Sequence, residues 1–168
     1  MKRSILVAIP VLGLAVMLQT SIVERINLLN GAADLVLLIL AAWSLQERVR
    51  SAWVWGVAAG LLVAFVSVVP WYVYLVGYLA IVGMARLLAH RVWQAPLLAM
   101  FTVTFIGTMV LLMLTYVERS LFEVSLPFNF SFAQIILPSI LLNLLLAIPI
   151  HAIIRDLANR LYPEEVVS

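Results

Sequence analysis

Long uncharged apolar runs, separated by short polar clusters, set the layout of this chain. The first runs from Ser4 to Val23 and stops at Glu24-Arg25; the second runs from Ile26 to Gln46, interrupted only by Asp34. After Glu47-Arg48-Val49-Arg50 no charge occurs from Ser51 to Ala85, a stretch about twice as long as one membrane crossing of about 20 residues. Pro70 and Trp71 stand at its middle. Proline lacks a backbone N–H and disfavours helical geometry in the residue before it, so the stretch is expected to turn at 69–72 and give two helices. Arg86, His90 and Arg91 close the fourth run, Val92 to Val117 supplies a fifth and Ala133 to Ile154 a sixth, ahead of a polar tail. The pattern predicts an all-α polytopic membrane protein with helices over about 4–23, 31–46, 52–69, 71–88, 92–117 and 133–154, forming one integral membrane domain across residues 1–168.

Composition agrees with that class. Hydrophobic residues make up 65% of the chain and charged residues 11%, with a mean hydropathy of +1.16, too little polar surface to cover a domain in water. Without cysteine there is no disulfide framework, thiolate nucleophile or cysteine metal site. The net charge of +2 could suggest an anionic partner, but topology accounts for the basic residues better. With the amino terminus in the cytoplasm, Lys2, Arg3, Arg48, Arg50, Arg86, Arg91, Arg155 and Arg160 all fall inside, and only Arg25 and Arg119 outside. Both termini are therefore expected to be cytoplasmic, and nucleic-acid binding is not expected. Lys2-Arg3 before an apolar run resembles a secretory signal, but 18–25 lacks a small-x-small cleavage pattern, so the first helix is expected to be retained.

Polar residues inside the spans are the candidates for function. Asp34 is the one acidic residue within a predicted span; it is read as a helix cap in the outer first turn of helix two, or as a contact for a partner or ion. Ser139, Asn143, Ala147 and His151 recur every fourth position and share one face of helix six. That face suits packing within the chain, a groove for a partner helix, or a ligand site. Gly56 and Gly60 in GVAAG allow close helix contact, either internal or between two copies. Gln19 near the outer end of helix one is a further interface candidate. Thr104, Thr108 and Thr115 are expected to bond to carbonyls one turn back in their own helix. Between helices five and six, Phe122, Phe128, Phe130 and Phe132 alternate with polar residues in a loop that would anchor at the interface or dock a partner. His90 and His151 are isolated, and no Ser-His-Asp order, phosphate loop or paired carboxylates appear. No catalysis, cofactor or metal is expected.

Several segments, in order, resemble the rod shape-determining protein MreD family: LGLAVMLQTSIV, GAADLVLLILAAWSL, GVAAGLLVAFVSVVPWYVYLVGYLAIVG and LPSILLNLLLAIPIHAIIRDL. The likeness rests on Gln19, the Asp34-Leu35 pair, Gly60, Pro70, Gly77-Tyr78, Pro138 and Asn143, and covers nearly the whole chain. The chain departs from the family pattern at Ala33, where relatives often have proline, and at Ala64, where they often have an acidic residue. The resemblance implies a non-enzymatic scaffold in the bacterial inner membrane, part of the cell-elongation complex. Its partners would be an MreC-type single-span protein, a RodA-type polymerase, a class B penicillin-binding transpeptidase, membrane lipids and, indirectly, MreB-type filaments. The family is also similar in helix number to the substrate-binding subunits of energy-coupling-factor vitamin transporters. That similarity supplies the alternative, a solute-binding subunit using Gln19, Asn27, Asn30, Asp34 and Gln134. Under the scaffold expectation, partner contacts would involve Gln19, Asp34, Gly56, Gly60, Ser139, Asn143, Ala147, Phe128 and Phe130.

Overall fold

A short, fully buried helix forms the hub of the molecule, and longer helices pack around it. The computed structural model describes residues 2–21, 29–90, 95–122 and 127–162. Its elements are α1 (Lys2–Ser21), α2 (Leu35–Ser44), α3 (Ala52–Val66), α4 (Trp71–Ala89), α5 (Pro96–Phe122), α6 (Phe128–Ser131), a π-helical turn (Phe132–Ile136) and α7 (Leu137–Leu161). Among the described residues every regular element is a helix. Trp71–Ala89, Pro96–Phe122 and the continuous Phe128–Leu161 are long and apolar enough to cross a membrane, while Leu6–Ser21, Leu35–Ser44 and Ala52–Val66 are shorter apolar helices.

All ten residues of α2 are buried, and α1, α3, α4, α5 and α7 all pack against it. So short a helix is marginal on its own in water, and side chains from elsewhere hold both its ends. Asp34 caps its N-terminus. At the other end the Arg86 guanidinium donates to the carbonyls of Gln46 (3.1 Å) and Ser44 (3.5 Å), placing a cation where the helix dipole is negative. Trp43 stacks on Trp55 at 4.2 Å and 19°, joining the end of α2 to the start of α3. Arg48, Arg50, Arg86, Arg155 and Arg160 thus gather at one end of the bundle and Arg119 lies at the other; Arg25, Asn27 and Arg91 lie outside the described residues.

The boundaries differ from expectation where backbone chemistry overrides the apolar pattern. Helix two begins at Leu35, not 31, because Asp34 caps it and the preceding residues are not helical. Helix five begins at Pro96 and extends to Phe122. Helix six reaches Leu161 and is preceded without interruption by helical turns from Phe128. Phe128 and Phe130 therefore sit on a helix rather than in a loop, with Phe128 packed on Tyr116 (5.5 Å) and Phe132 (5.9 Å). The turn at Pro70 is where the sequence suggested: Ser67 ends α3 in extended conformation and Pro70 precedes α4.

The tight α3–α4 pair uses the GVAAG face. A Cβ at Gly60 would stand 2.9 Å from the Leu75 Cα, and one at Gly56 would stand 2.9 Å from a Val82 methyl. The first obstacle is backbone, so Gly60→Ala must push the helices apart, at a cost of about 1–3 kcal/mol. Gly83→Ala is the matched control, because its nearest neighbour is the edge of Trp53 at 3.4 Å. Thermal unfolding in detergent should show a clear drop for Gly60→Ala and almost none for Gly83→Ala.

Candidate functional site

At the start of α2 the backbone is extended, and the Asp34 side chain is joined there by five others from the helices α1, α4, α5 and α7. The Asp34 carboxylate accepts from the Leu37 N–H (2.9 Å) and from the Tyr78 hydroxyl of α4 (3.1 Å). The Asp34 N–H donates to Asn143 Oδ1 (2.7 Å), and the amide of the same asparagine donates to Thr108 Oγ1 on α5 (2.8 Å). The Ala32 N–H donates to Ser139 Oγ (3.1 Å), and the Val36 N–H to Gln19 Oε1 of α1 (3.4 Å). Non-helical backbone in an apolar interior needs such partners, because every unpaired polar group there costs free energy.

One acceptor is supplied by a proline. Pro138 has no N–H to offer the Gln134 carbonyl four residues earlier. That carbonyl instead accepts from the Asn30 N–H at 3.0 Å. The π-helical turn just before it, with the Leu137 N–H bonded to the Phe132 carbonyl, accompanies this break in the α pattern. Gly31 makes the approach possible: a Cβ there would lie 2.7 Å from Ser139 N, 2.8 Å from the Ile135 carbonyl and 2.8 Å from Pro138 Cβ.

Asp34 is deeper than its expected place in an outer turn. It shares Asn143 with Thr108, which lies about 18 Å along α5 from Pro96 and about 21 Å from Phe122 at 1.5 Å per residue. The carboxylate is therefore level with the middle of the longest uninterrupted α-helix. A cavity of about 30 Å³ beside it is lined by Ala32, Asp34, Leu37, Thr108, Ser139 and Asn143, among others, room for about one water. Among the described residues no group of three or more histidines or carboxylates could hold a metal ion.

Of the residues singled out in the sequence, this cluster unites Gln19, Asp34, Ser139 and Asn143. Ala147 lies one turn further along α7, fully buried, and His151 beyond it is 3% exposed. The helix-six stripe and the GVAAG face are thus both occupied within the chain, the stripe towards α2 and the glycines towards α4. Packing within the chain was one of the alternatives the sequence offered for both surfaces, and a foreign helix would have to displace one already there. Phe128 and Phe130 keep 47% and 46% of their surface exposed. Thr115 bonds to the carbonyl one turn back, as the sequence suggested, but Thr108 bonds across to Asn143 and the Thr104 hydroxyl has no partner among the described residues. Tyr78 was missed as a cluster member. Its signal was slight: a tyrosine in mid-span, away from the interfaces where tyrosine is usual.

Removing the Tyr78 hydroxyl tests a member that is joined to the cluster through Asp34. Tyr78→Phe should cost about 1 kcal/mol, since it deletes one inter-helix bond and leaves Asp34 capping Leu37. Chemical unfolding in mixed micelles would read it, and a loss several times larger would mean that the hydroxyl holds more than this bond. Comparisons with known proteins leave the site to its geometry: no family model, curated protein or solved structure matches the chain.

Proposed function

We propose that the chain is a non-enzymatic, six-span scaffold of the bacterial inner membrane, with both termini cytoplasmic, serving the cell-elongation complex. In this reading it binds an MreC-type single-span protein and links it to the RodA-type polymerase and its transpeptidase. The observation that carries the scaffold reading is that the mid-bundle polar groups spend their hydrogen bonds on their own chain. Asp34 serves Leu37 and Tyr78, Asn143 serves Asp34 and Thr108, and Gln19 serves Val36. A solute-binding subunit needs convergent groups free for its ligand, and these are engaged beside a cavity of about 30 Å³. The resemblance to the MreD family supplies the choice of complex. Partner contact then falls to side chains that remain accessible, Phe128 and Phe130 foremost, and the partly exposed Gln19.

The test is recovery of the tagged protein from its own host after brief crosslinking, in mild detergent, with mass spectrometry of what accompanies it. The expected companions are a single-span coiled-coil protein and cell-wall synthases. A pair of ATPases with a small membrane coupler would replace this reading with vitamin uptake.

A further inference from the structure

At the arginine-rich end of the bundle, away from the Asp34 cluster, a groove runs between the start of α5 and the last turns of α7. It encloses about 450 Å³ and is lined by Ala95, Pro96, Leu97, Leu98, Ile148, His151, Ala152 and Arg155. Its walls fall into two parts. Leu97, Leu98, Ile148 and Ala152 are apolar. His151 and Arg155, one turn apart on α7, and the N-terminus of α5 form a polar corner.

Each component of that corner suits a phosphate. The first turn of α5 has backbone N–H groups with no partner inside the helix, and the dipole of a 27-residue helix is positive there. Pro96 has no N–H and Ala99 bonds back to Ala95; Leu97 and Leu98, whose N–H groups belong to the same first turn, both lie on the groove wall. Arg155 is exposed at the mouth and can offer two parallel N–H donors to one phosphate. His151 is the independent sign of a ligand. It is 3% exposed, neither ring nitrogen has a hydrogen-bond partner among the described residues, and it lines the groove. A buried imidazole with two idle nitrogens is costly unless something fills the position opposite.

We propose that this groove binds one anionic phospholipid. The phosphodiester is held by Arg155, a His151 N–H and the first turn of α5, and an acyl chain lies along Leu97, Leu98 and Ile148. The apolar wall beside the polar corner selects a lipid over free phosphate. The neighbouring recess of about 90 Å³, which shares Pro96, His151 and Arg155, contains Gln46 and Glu47. The Glu47 carboxylate repels a phosphate from that side, leaving the head group on the α5 side.

The purified full chain in mild detergent, titrated with phosphatidylglycerol and followed by native mass spectrometry, tests the site. Arg155→Gln should weaken retention of the first lipid about five-fold, the usual effect of one basic residue at a membrane surface. Arg160→Gln, an exposed arginine on the same helix but off the groove, should leave it unchanged. His151→Gln should weaken it as well, and Arg155→Gln keeps the test valid if that buried change impairs folding. Phosphatidylcholine should compete poorly and inorganic phosphate hardly at all. Equal losses in Arg155→Gln and Arg160→Gln would reduce the effect to general surface charge, and unaltered binding in Arg155→Gln would remove the site. Displacement of the lipid by millimolar phosphate would make it a site for free anions and overturn the lipid assignment.

Discussion

Gly31→Ala is expected to be the most damaging single methyl that can be added to this protein, destabilising it by about 3–5 kcal/mol. The added carbon would stand 2.7–2.8 Å from Ser139 N, the Ile135 carbonyl and Pro138 Cβ. All three belong to backbone or to a proline ring, so none can swing aside. The extended segment would have to lift off α7, which breaks the bond from Asn30 to the Gln134 carbonyl and that from Ala32 to Ser139. Inter-helix hydrogen bonds in apolar surroundings are worth about 0.6–2 kcal/mol each, and forced overpacking adds about 1–3 kcal/mol. The Gln134 carbonyl cannot recover its α-helical donor, because Pro138, four residues on, has no N–H. Reversible unfolding of the purified variant measures the loss, and a cost below about 1 kcal/mol would mean that the segment is not held against α7.

Asp34→Leu should cost about 3 kcal/mol by a different route. It removes the cap on Leu37, worth about 0.5–2 kcal/mol. It also leaves the fully buried Tyr78 hydroxyl without its acceptor, at about 1–3 kcal/mol. The bond from the Asp34 backbone to Asn143 does not depend on the side chain and should survive. Combining Asp34→Leu with Tyr78→Phe should therefore cost less than the two changes added together, since the second removes the group that the first strands. Strict additivity would show that the two side chains act independently.

Much of this fold was legible in the apolar runs, because an interior rich in leucine and valine leaves charges and prolines as the only punctuation. Pro70 divided the long uncharged stretch where the chain does turn, and GVAAG announced a close helix contact that Gly60 and Leu75 make. The start of α2 was misjudged for the same reason. Gly31, Ala32 and Ala33 continue an apolar pattern and gave no reason to stop the helix, although the cap preference of aspartate argued for a start at Leu35. The depth of Asp34 could not be read from its position in helix two, because depth is set by neighbours, and α2 is far shorter than the helices beside it. The idle carbonyl at Gln134 was in principle visible, four residues before a proline, but its donor lies more than a hundred residues away at Asn30. The glycine face and the helix-six stripe were correctly read as contact surfaces; what they contact, other helices of the same chain, is a tertiary fact.

In the proposed scaffold Asp34 acts as a hydrogen-bond acceptor within a structural cluster, and its charge is not expected to serve a ligand. Asp34→Asn tests this most directly, because asparagine keeps an oxygen for the Leu37 N–H and caps helices about as well as aspartate, while the charge is lost. The measurement is unfolding stability together with recovery of crosslinked companions from the host. The expected result is stability within about 1 kcal/mol of the parent and an unchanged set of companions. A variant that folds with parental stability yet loses its companions, or loses uptake of a solute, would contradict it by showing that the carboxylate charge at the centre of the bundle is what the protein uses.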